Sequence, residues 1–254
     1  MKRVLTAALM TPLFAYVVLW APQLAFLAVL ALVALQCYRE YADIIKGYGI
    51  EQLGPVGYGA GLAVLLVPYE PALLLTLVAL LVLGFSLCAD DLAKGLPRAA
   101  ALFLGVVYVF GVWRTAIPLR ARSPHWLLFV LALTWIGDAA AYYIGRRFGR
   151  HKMAPRVSPA KSWEGAAASL AASVLFAALY VPRFIPAVPL VTAMLLGAAA
   201  NVAGQIGDLA ESVLKRGAGV KDSGQMLPGH GGWLDRVDSA LFAMPVLWAI
   251  LAWL

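Results

Sequence analysis

Nine apolar runs divide the chain, near residues 4–20, 23–38, 55–68, 71–88, 99–117, 125–144, 165–182, 187–207 and 239–254. As α-helix, at about 1.5 Å per residue, a run of about twenty residues crosses a hydrocarbon layer about 30 Å thick. The third run is short, and Pro55, Gly57, Gly59 and Gly61 crowd its start, so a tilted, broken or partly re-entrant segment is predicted there. Polar residues gather in two segments, 145–164 and 207–238, and the other loops are short. The pattern predicts an all-α, polytopic integral membrane protein of about nine transmembrane helices. It reads as one transmembrane domain over 1–254, with polar catalytic segments at 138–165 and 207–238.

Composition agrees with the pattern. Hydrophobic residues make up 63% of the chain and charged residues 13%, where a soluble domain carries about a quarter charged residues. A mean hydropathy of +0.83 leaves too little polar surface for a water-soluble globule. The net charge of +7 would suggest nucleic acid as partner in a soluble protein. In a membrane protein it belongs to loops, anionic headgroups and phosphates, and no nucleic acid is expected. Lys2 and Arg3 precede the first run, which reads as a retained span because a second run follows directly after Pro22. Cys37 and Cys88 sit at the ends of apolar runs, without metal-ligand spacing or a disulfide framework.

Basic residues set the orientation. With the N-terminus in the cytoplasm and sides alternating, sixteen Lys and Arg fall on the cytoplasmic side. Four, Arg114, Arg120, Arg122 and Arg183, fall at or near the other. The asymmetry predicts nine spans with the C-terminus outside, both polar segments in the cytoplasm, and residence in a bacterial inner membrane.

The segment from Asp208 to Asp238 carries chemistry. It interleaves Asp208, Glu211, Asp222, Asp235 and Asp238 with Lys215, Arg216, Lys221 and Arg236. If the eighth span continues as helix past Asp208, then Asp208, Ser212 and Lys215 share a face; a helix starting near Asp235 puts Asp235 and Asp238 on one side. Gly229, Gly231 and Gly232 flank His230, and glycine lets a backbone approach a phosphate with its N–H groups turned inward. Two carboxylates about 4 Å apart repel by roughly 4 kcal/mol at an effective dielectric of about 20. Clustered aspartates with little histidine therefore suit a hard cation, Mg²⁺ above all, and the neighbouring cations suit phosphate oxygens. Taken singly, each charge also reads as an ordinary loop ion pair. Taken together they point to phosphoryl or nucleotidyl transfer.

The other segment offers Arg146, Arg147, Arg150, His151 and Lys152, which read as a positive-inside anchor, then Ser158-Pro159-Ala160-Lys161-Ser162-Trp163-Glu164-Gly165. Lys161 is within reach of a phosphate or is one more topogenic charge. Ser162 also reads as the cap of the seventh helix. Asp138 lies inside an apolar run, where a carboxylate is costly and needs a partner or a water-filled cavity.

Residues 212–238 resemble the hallmark motif of the phosphatidate cytidylyltransferase family, the CDP-diacylglycerol synthases. Ser212, Lys215, Arg216, Lys221, Asp222, Leu227, Pro228, His230, Gly231, Gly232, Asp235, Arg236 and Asp238 all stand at the family's spacing. Trp233 departs, standing where the family carries a smaller aliphatic residue or Phe. The strings 158–165 and 137–142 are also similar to family features. The resemblance implies attack by phosphatidate on the α-phosphorus of CTP, without a covalent enzyme intermediate. It further implies an Mg²⁺ requirement, a paired-metal site on Asp208 and Asp235, and a homodimer. In its terms, Asp208, Lys215, Arg216, Lys221, Asp222, His230, Asp235, Arg236 and Asp238 form the catalytic set. Lys161, Ser162, Glu164, Asp138, Gly231 and Gly232 contact substrate. His230 has two readings, phosphate ligand or holder of the glycine turn; Asp222 and Asp238 have a second one, orienting Lys221 and Arg236. A CTP-dependent membrane lipid kinase is the nearest rival. A transporter would hold its charges at mid-membrane, and a CDP-alcohol phosphotransferase would carry an aspartate-rich pattern that this chain lacks.

Overall fold

The structure is a computed structural model describing residues 2–50, 54–68, 70–85, 87, 91–226 and 231–254, with the side chains of 2–10 and Pro71 outside the description. Every one of the nine apolar runs falls on helix. The helices are α1 (Lys2–Leu19), α2 (Gln23–Lys46), α3 (Gly54–Leu66), α4 (Pro71–Phe85), α5 (Leu92–Arg122), α6 (Pro124–Phe148), α7 (Trp163–Phe184), α8 (Leu190–Gly217) and α9 (Leu234–Trp253). Six of them, α2 and α5 to α9, are long and apolar enough to cross a membrane; α3 and α4 are apolar and shorter, at 13 and 15 residues. The protein is an all-α, multi-pass integral membrane protein. Its surface leucines match that solvent: Leu24 is 81% exposed, and Leu32, Leu77 and Leu80 are each more than half exposed, as lipid-facing positions should be.

Two compact units are interleaved along the chain. One comprises Met1–Met10, Ala21–Arg114 and Leu214–Arg236; the other comprises Thr11–Trp20, Thr115–Val213 and Val237–Leu254. In the first unit α3 is continuous, and its glycines make room for neighbours. A side chain at Gly57 would collide with the Tyr38 hydroxyl and one at Gly61 with the Phe110 ring. The Gly-rich start, predicted to break or tilt the segment, is thus a close-packing face. Within α5 the turn Val106–Gly111 is a π-helix, and Tyr41 Oη donates to Ala101 O at 2.8 Å nearby. Arg114 ties down the end of α3, donating to Val64 O and Val67 O.

In the second unit α6 packs on α7 through small residues. A side chain at Gly149 would press on Ser162 Oγ at 2.5 Å, and one at Gly165 on Ala141 O at 2.9 Å. Deeper, buried Asn201 on α8 donates to Ser169 Oγ at 2.8 Å and Ser173 Oγ at 2.9 Å on α7, and Gln205 donates to Asn201 Oδ1. Such bonds hold helices together where no water competes. Arg120 donates to Val18 O at the end of α1, and Arg122 to Leu251 O near the end of α9. Helix-end carbonyls that lack an intrahelical partner are satisfied this way.

Between α6 and α7 lies a short antiparallel hairpin, β1 (Lys152–Ala154) and β2 (Ser158–Ser162), with Lys152 opposite Ser162 and Ala154 opposite Ser158. It lies in the polar segment 145–164, whose secondary structure the apolar pattern leaves open. In the segment 207–238 the eighth span does continue as helix past Asp208, with α8 running on to Gly217, and a helix does start beside Asp235, with α9 beginning at Leu234.

Candidate active site

In the first unit the motif segment starts where α8 stops. Val220 N donates to Lys215 O and Gly219 N to Arg216 O, with Gly219 at φ +75°. This is the paired closure that lets a left-handed glycine end a helix. The end of α8 rests on the end of α2: Tyr48 Oη donates to Leu214 O at 2.9 Å, and Gly47 and Gly217 leave room for Ala218 and the Tyr48 ring.

Beyond that stop the chain is gathered around two carboxylates. Asp235 opens α9. Its Oδ1 pairs with Lys215 Nζ at 2.5 Å, and its Oδ2 accepts from Ser223 N and Gly232 N, both at 2.9 Å. The pair is buried, with side-chain exposures of 10% for Lys215 and 7% for Asp235. Glu40, on α2 and 6% exposed, is the second carboxylate. It accepts from Ser223 Oγ at 2.7 Å, Trp233 N at 2.9 Å and Leu234 N at 2.8 Å. Side chains at Gly224 or Gly232 would run into Glu40, so both glycines are required for the loop to wrap that closely. Gly231 stands at φ +78°, with Asp222 and Asp235 beside it. Arg216 is exposed and donates to Val220 O at 3.0 Å; Lys221, Asp222 and Arg236 are exposed. His230 lies outside the described residues, with Leu227, Pro228 and Gly229.

The second unit carries a different cluster. Lys161, on β2, pairs through Nζ with Asp208 Oδ2 of α8 at 2.7 Å, with side-chain exposures of 22% and 31%. Ser212, one turn along α8, lies 3.4 Å from Asp208 Oδ1. Buried Asp238 on α9 shares a hydrogen bond with buried Glu211, and Asp208 and Asp138 are near enough to act on it through charge. Ser162 caps α7, accepting from Gly165 N at 3.2 Å. Glu164 accepts from His151 N and meets His151 Nδ1 at 2.6 Å, which fastens the hairpin to the first turn of α7. The structure thus gathers Asp138, Lys161, Asp208 and Asp238 in one unit and Lys215, Gly231, Gly232 and Asp235 in the other.

The donor set of the second unit fits a hard divalent cation. Asp138, Asp208 and Glu211 all act on buried Asp238 through charge, and Lys161 offsets one charge at Asp208. Among the described residues no three carboxylate, imidazole or thiol side chains form a ready-made metal cage. Mg²⁺ does not ask for one, since it binds through one or two carboxylates and fills its octahedron with water and substrate phosphate.

Sequence reasoning missed Glu40. Its signal was present, a carboxylate in the last turns of an apolar helix, yet its partners lie 183 to 194 residues away.

The chain is similar to known proteins. The sequence profile of the cytidylyltransferase family matches residues 1–254. A Pseudomonas aeruginosa protein named phosphatidate cytidylyltransferase is 37% identical over 219 residues, covering 82% of this chain and 80% of that protein. A Thermotoga maritima protein of the same name is 37% identical over 78% of this chain and 74% of its own length. One from Haemophilus influenzae is 38% identical over 66% of this chain and 62% of its own. With its whole length matched and the motif folded around Glu40 and Asp235, the chain belongs to the cytidylyltransferase family.

Proposed function

We propose that the protein transfers the cytidylyl group of CTP to phosphatidate, giving CDP-diacylglycerol and pyrophosphate. A non-bridging oxygen of the lipid phosphate forms a bond to the α-phosphorus of CTP as the bond between that phosphorus and the α–β bridging oxygen breaks. The lipid phosphate is already an anion at neutral pH, so no side chain need act as base. What the reaction demands is neutralisation and alignment of two anions. The observation that carries this reading is the Lys161–Asp208 pair, partly exposed beside the buried acids of α8 and α9. Such a pair offers one ammonium to a phosphate and one carboxylate to a cation.

In this reading Asp208 would hold Mg²⁺, which would supply charge neutralisation on the CTP phosphates; Asp235, with both oxygens taken up by Lys215, Ser223 and Gly232, keeps the motif loop folded. Lys161 offers fixed positive charge to phosphate oxygens, and in the motif segment the exposed Arg216, Lys221 and Arg236 offer it too; Lys215 and the Gly232 N–H are taken up by Asp235. Ser162 and Glu164 keep β2 and α7 in register, which aims Lys161. The distribution of basic residues supports a cytoplasmic face in a bacterial inner membrane, and the family resemblance supports a homodimer.

The test is product analysis. Purified full-length protein in mixed micelles with labelled CTP, phosphatidate and Mg²⁺ should yield CDP-lipid and pyrophosphate in equal amounts. Release of CDP with a newly phosphorylated lipid would make the protein a CTP-dependent kinase and overturn the reading.

A further inference from the structure

A cavity of about 430 Å³ opens in the first unit against the C-terminal part of α2, with Tyr38, Arg39, Asp43, Lys46, Pro55 and Tyr58 on its wall. The volume lies in the range of small-ligand sites, about 300–1,000 Å³. Arg39, Asp43 and Lys46 are four and seven residues apart on one helix and therefore share a face. Lys46 Nζ is already paired with Asp43 Oδ1 at 2.5 Å, so Arg39 leaves the face one positive charge in excess. Tyr58 lies within electrostatic reach of all three. Tyr38 is fully buried, and its hydroxyl, seated against Gly57, has no hydrogen-bond partner among the described residues. A buried hydroxyl left so is costly, a cost that an oxygen reaching it from the cavity would relieve. Glu40, the residue after Arg39 on α2, holds the motif segment through Ser223, Trp233 and Leu234. Cavity and motif are thus fixed to consecutive residues of one helix.

We propose that this cavity seats the phosphate headgroup of an anionic glycerolipid, with Arg39 as its charged ligand and the tyrosine rings and Pro55 against its glycerol end. The identity of that lipid as the phosphate-monoester substrate rests on the reading under Proposed function; the site itself does not. A cation face built only for topology would need neither a cavity nor a buried tyrosine hydroxyl. A guanidinium meets a phosphate with two parallel N–H bonds, which an ammonium does not reproduce.

The test uses the full chain in detergent, without CTP, titrated with a fluorescent short-chain phosphatidate. Arg39→Gln should weaken binding about tenfold and Arg39→Lys about threefold, at melting temperatures close to that of the parent protein. Arg39→Lys keeps the charge that sets topology, so its loss of affinity is no folding defect. Inorganic phosphate and CTP, added as competitors at the same concentration, should not displace the lipid. In turnover, the KM for phosphatidate should rise by the same factors while kcat and the KM for CTP stay within about twofold. Equal lipid affinity in parent and Arg39→Gln overturns the site. Displacement by inorganic phosphate overturns its assignment to a lipid. Arg39-dependent binding without any CDP-lipid formation sinks the proposed reaction and leaves this site standing; normal turnover with binding indifferent to Arg39 does the reverse.

Discussion

Among the candidate site residues each unit holds a lysine–aspartate pair, and the two differ in what surrounds the carboxylate. Asp235 gives one oxygen to Lys215 and the other to two backbone N–H groups, and both side chains of the pair are nearly closed to solvent. Asp208 gives one oxygen to Lys161 at 2.7 Å, its other oxygen has a hydroxyl at 3.4 Å, and nearly a third of the side chain is exposed. The first carboxylate is consumed in building a loop. The second retains lone pairs and access. A carboxylate offers about four acceptor directions, so Asp208 has capacity left for a cation, whereas a cation at Asp235 must share Oδ1 with Lys215. The same two residue types therefore do different work, and substitutions should separate them.

The largest effect is expected at Asp208. Asp208→Asn keeps the shape and removes the charge, and CDP-lipid synthesis should fall about 10³-fold with the melting temperature in detergent nearly unchanged. EDTA should silence the parent protein and Mg²⁺ restore it. A variant that keeps a substantial fraction of activity at saturating Mg²⁺ would remove Asp208 from the metal.

Asp235→Asn sharpens the contrast. It leaves Lys215 buried without its counter-charge, and breaking a buried pair from one side costs about 3–5 kcal/mol. Activity should drop about 10²-fold or more together with a clear fall in melting temperature, so that the two aspartates differ in stability more than in rate. Unchanged stability would mean that the buried pair does not hold the loop.

Lys161→Ala tests the exposed pair from its other side. Turnover should fall about 10²-fold, against a change of about twofold or less for Arg150→Ala, the neighbouring anchor charge. Equal and mild losses at both positions would make Lys161 another topogenic charge.

How much of this was legible in the sequence follows from where the partners lie. The nine apolar runs gave helices because a helix satisfies its own backbone bonds within one segment, so a local pattern suffices. Ser162 as a cap was legible for the same reason, its acceptor and donor being three residues apart. The hairpin at 152–162 was not, because Lys-Met-Ala and Ser-Pro-Ala-Lys-Ser have no alternating apolar face, and Pro159 argues against a strand. The glycines of α3 read as breakers, since the Tyr38 and Phe110 groups that need the space are far away in sequence. The motif residues marked the site; which of them are free for substrate and which are tied up in Glu40 and Asp235 is a three-dimensional fact.

Glu40 sets the next scale of effect. Glu40→Gln keeps one acceptor oxygen and turns the other position into a donor facing Trp233 N, Leu234 N or Ser223 Oγ, all of which donate to it now. A loop loosened in this way should lose about tenfold in kcat with a smaller change in the KM for CTP. Glu40→Asp, which keeps both acceptors on a shorter arm, should recover part of it. If Glu40→Gln matches the parent protein in kcat, the carboxylate is a packing residue only.

The smallest effect is expected at Trp233, the one position of the motif that departs from the family pattern. Its backbone N–H is what the fold uses, donating to Glu40 at 2.9 Å, and any residue but proline supplies that bond. The side chain is half-buried next to the glycine turn, in a slot where the family carries smaller apolar residues. Trp233→Ile keeps the N–H and an apolar body, and a β-branched residue is tolerated at the start of a helix at a cost of a few tenths of a kcal/mol. The variant should therefore hold kcat and both KM values within about threefold, with a slightly lower melting temperature from the lost ring contacts. A collapse of the KM for CTP in a folded Trp233→Ile protein would mean that the indole stacks on the cytosine ring. The loop around Asp235 would then be part of the nucleotide site as well as its scaffold, and the division between a structural pair and a working pair would fail.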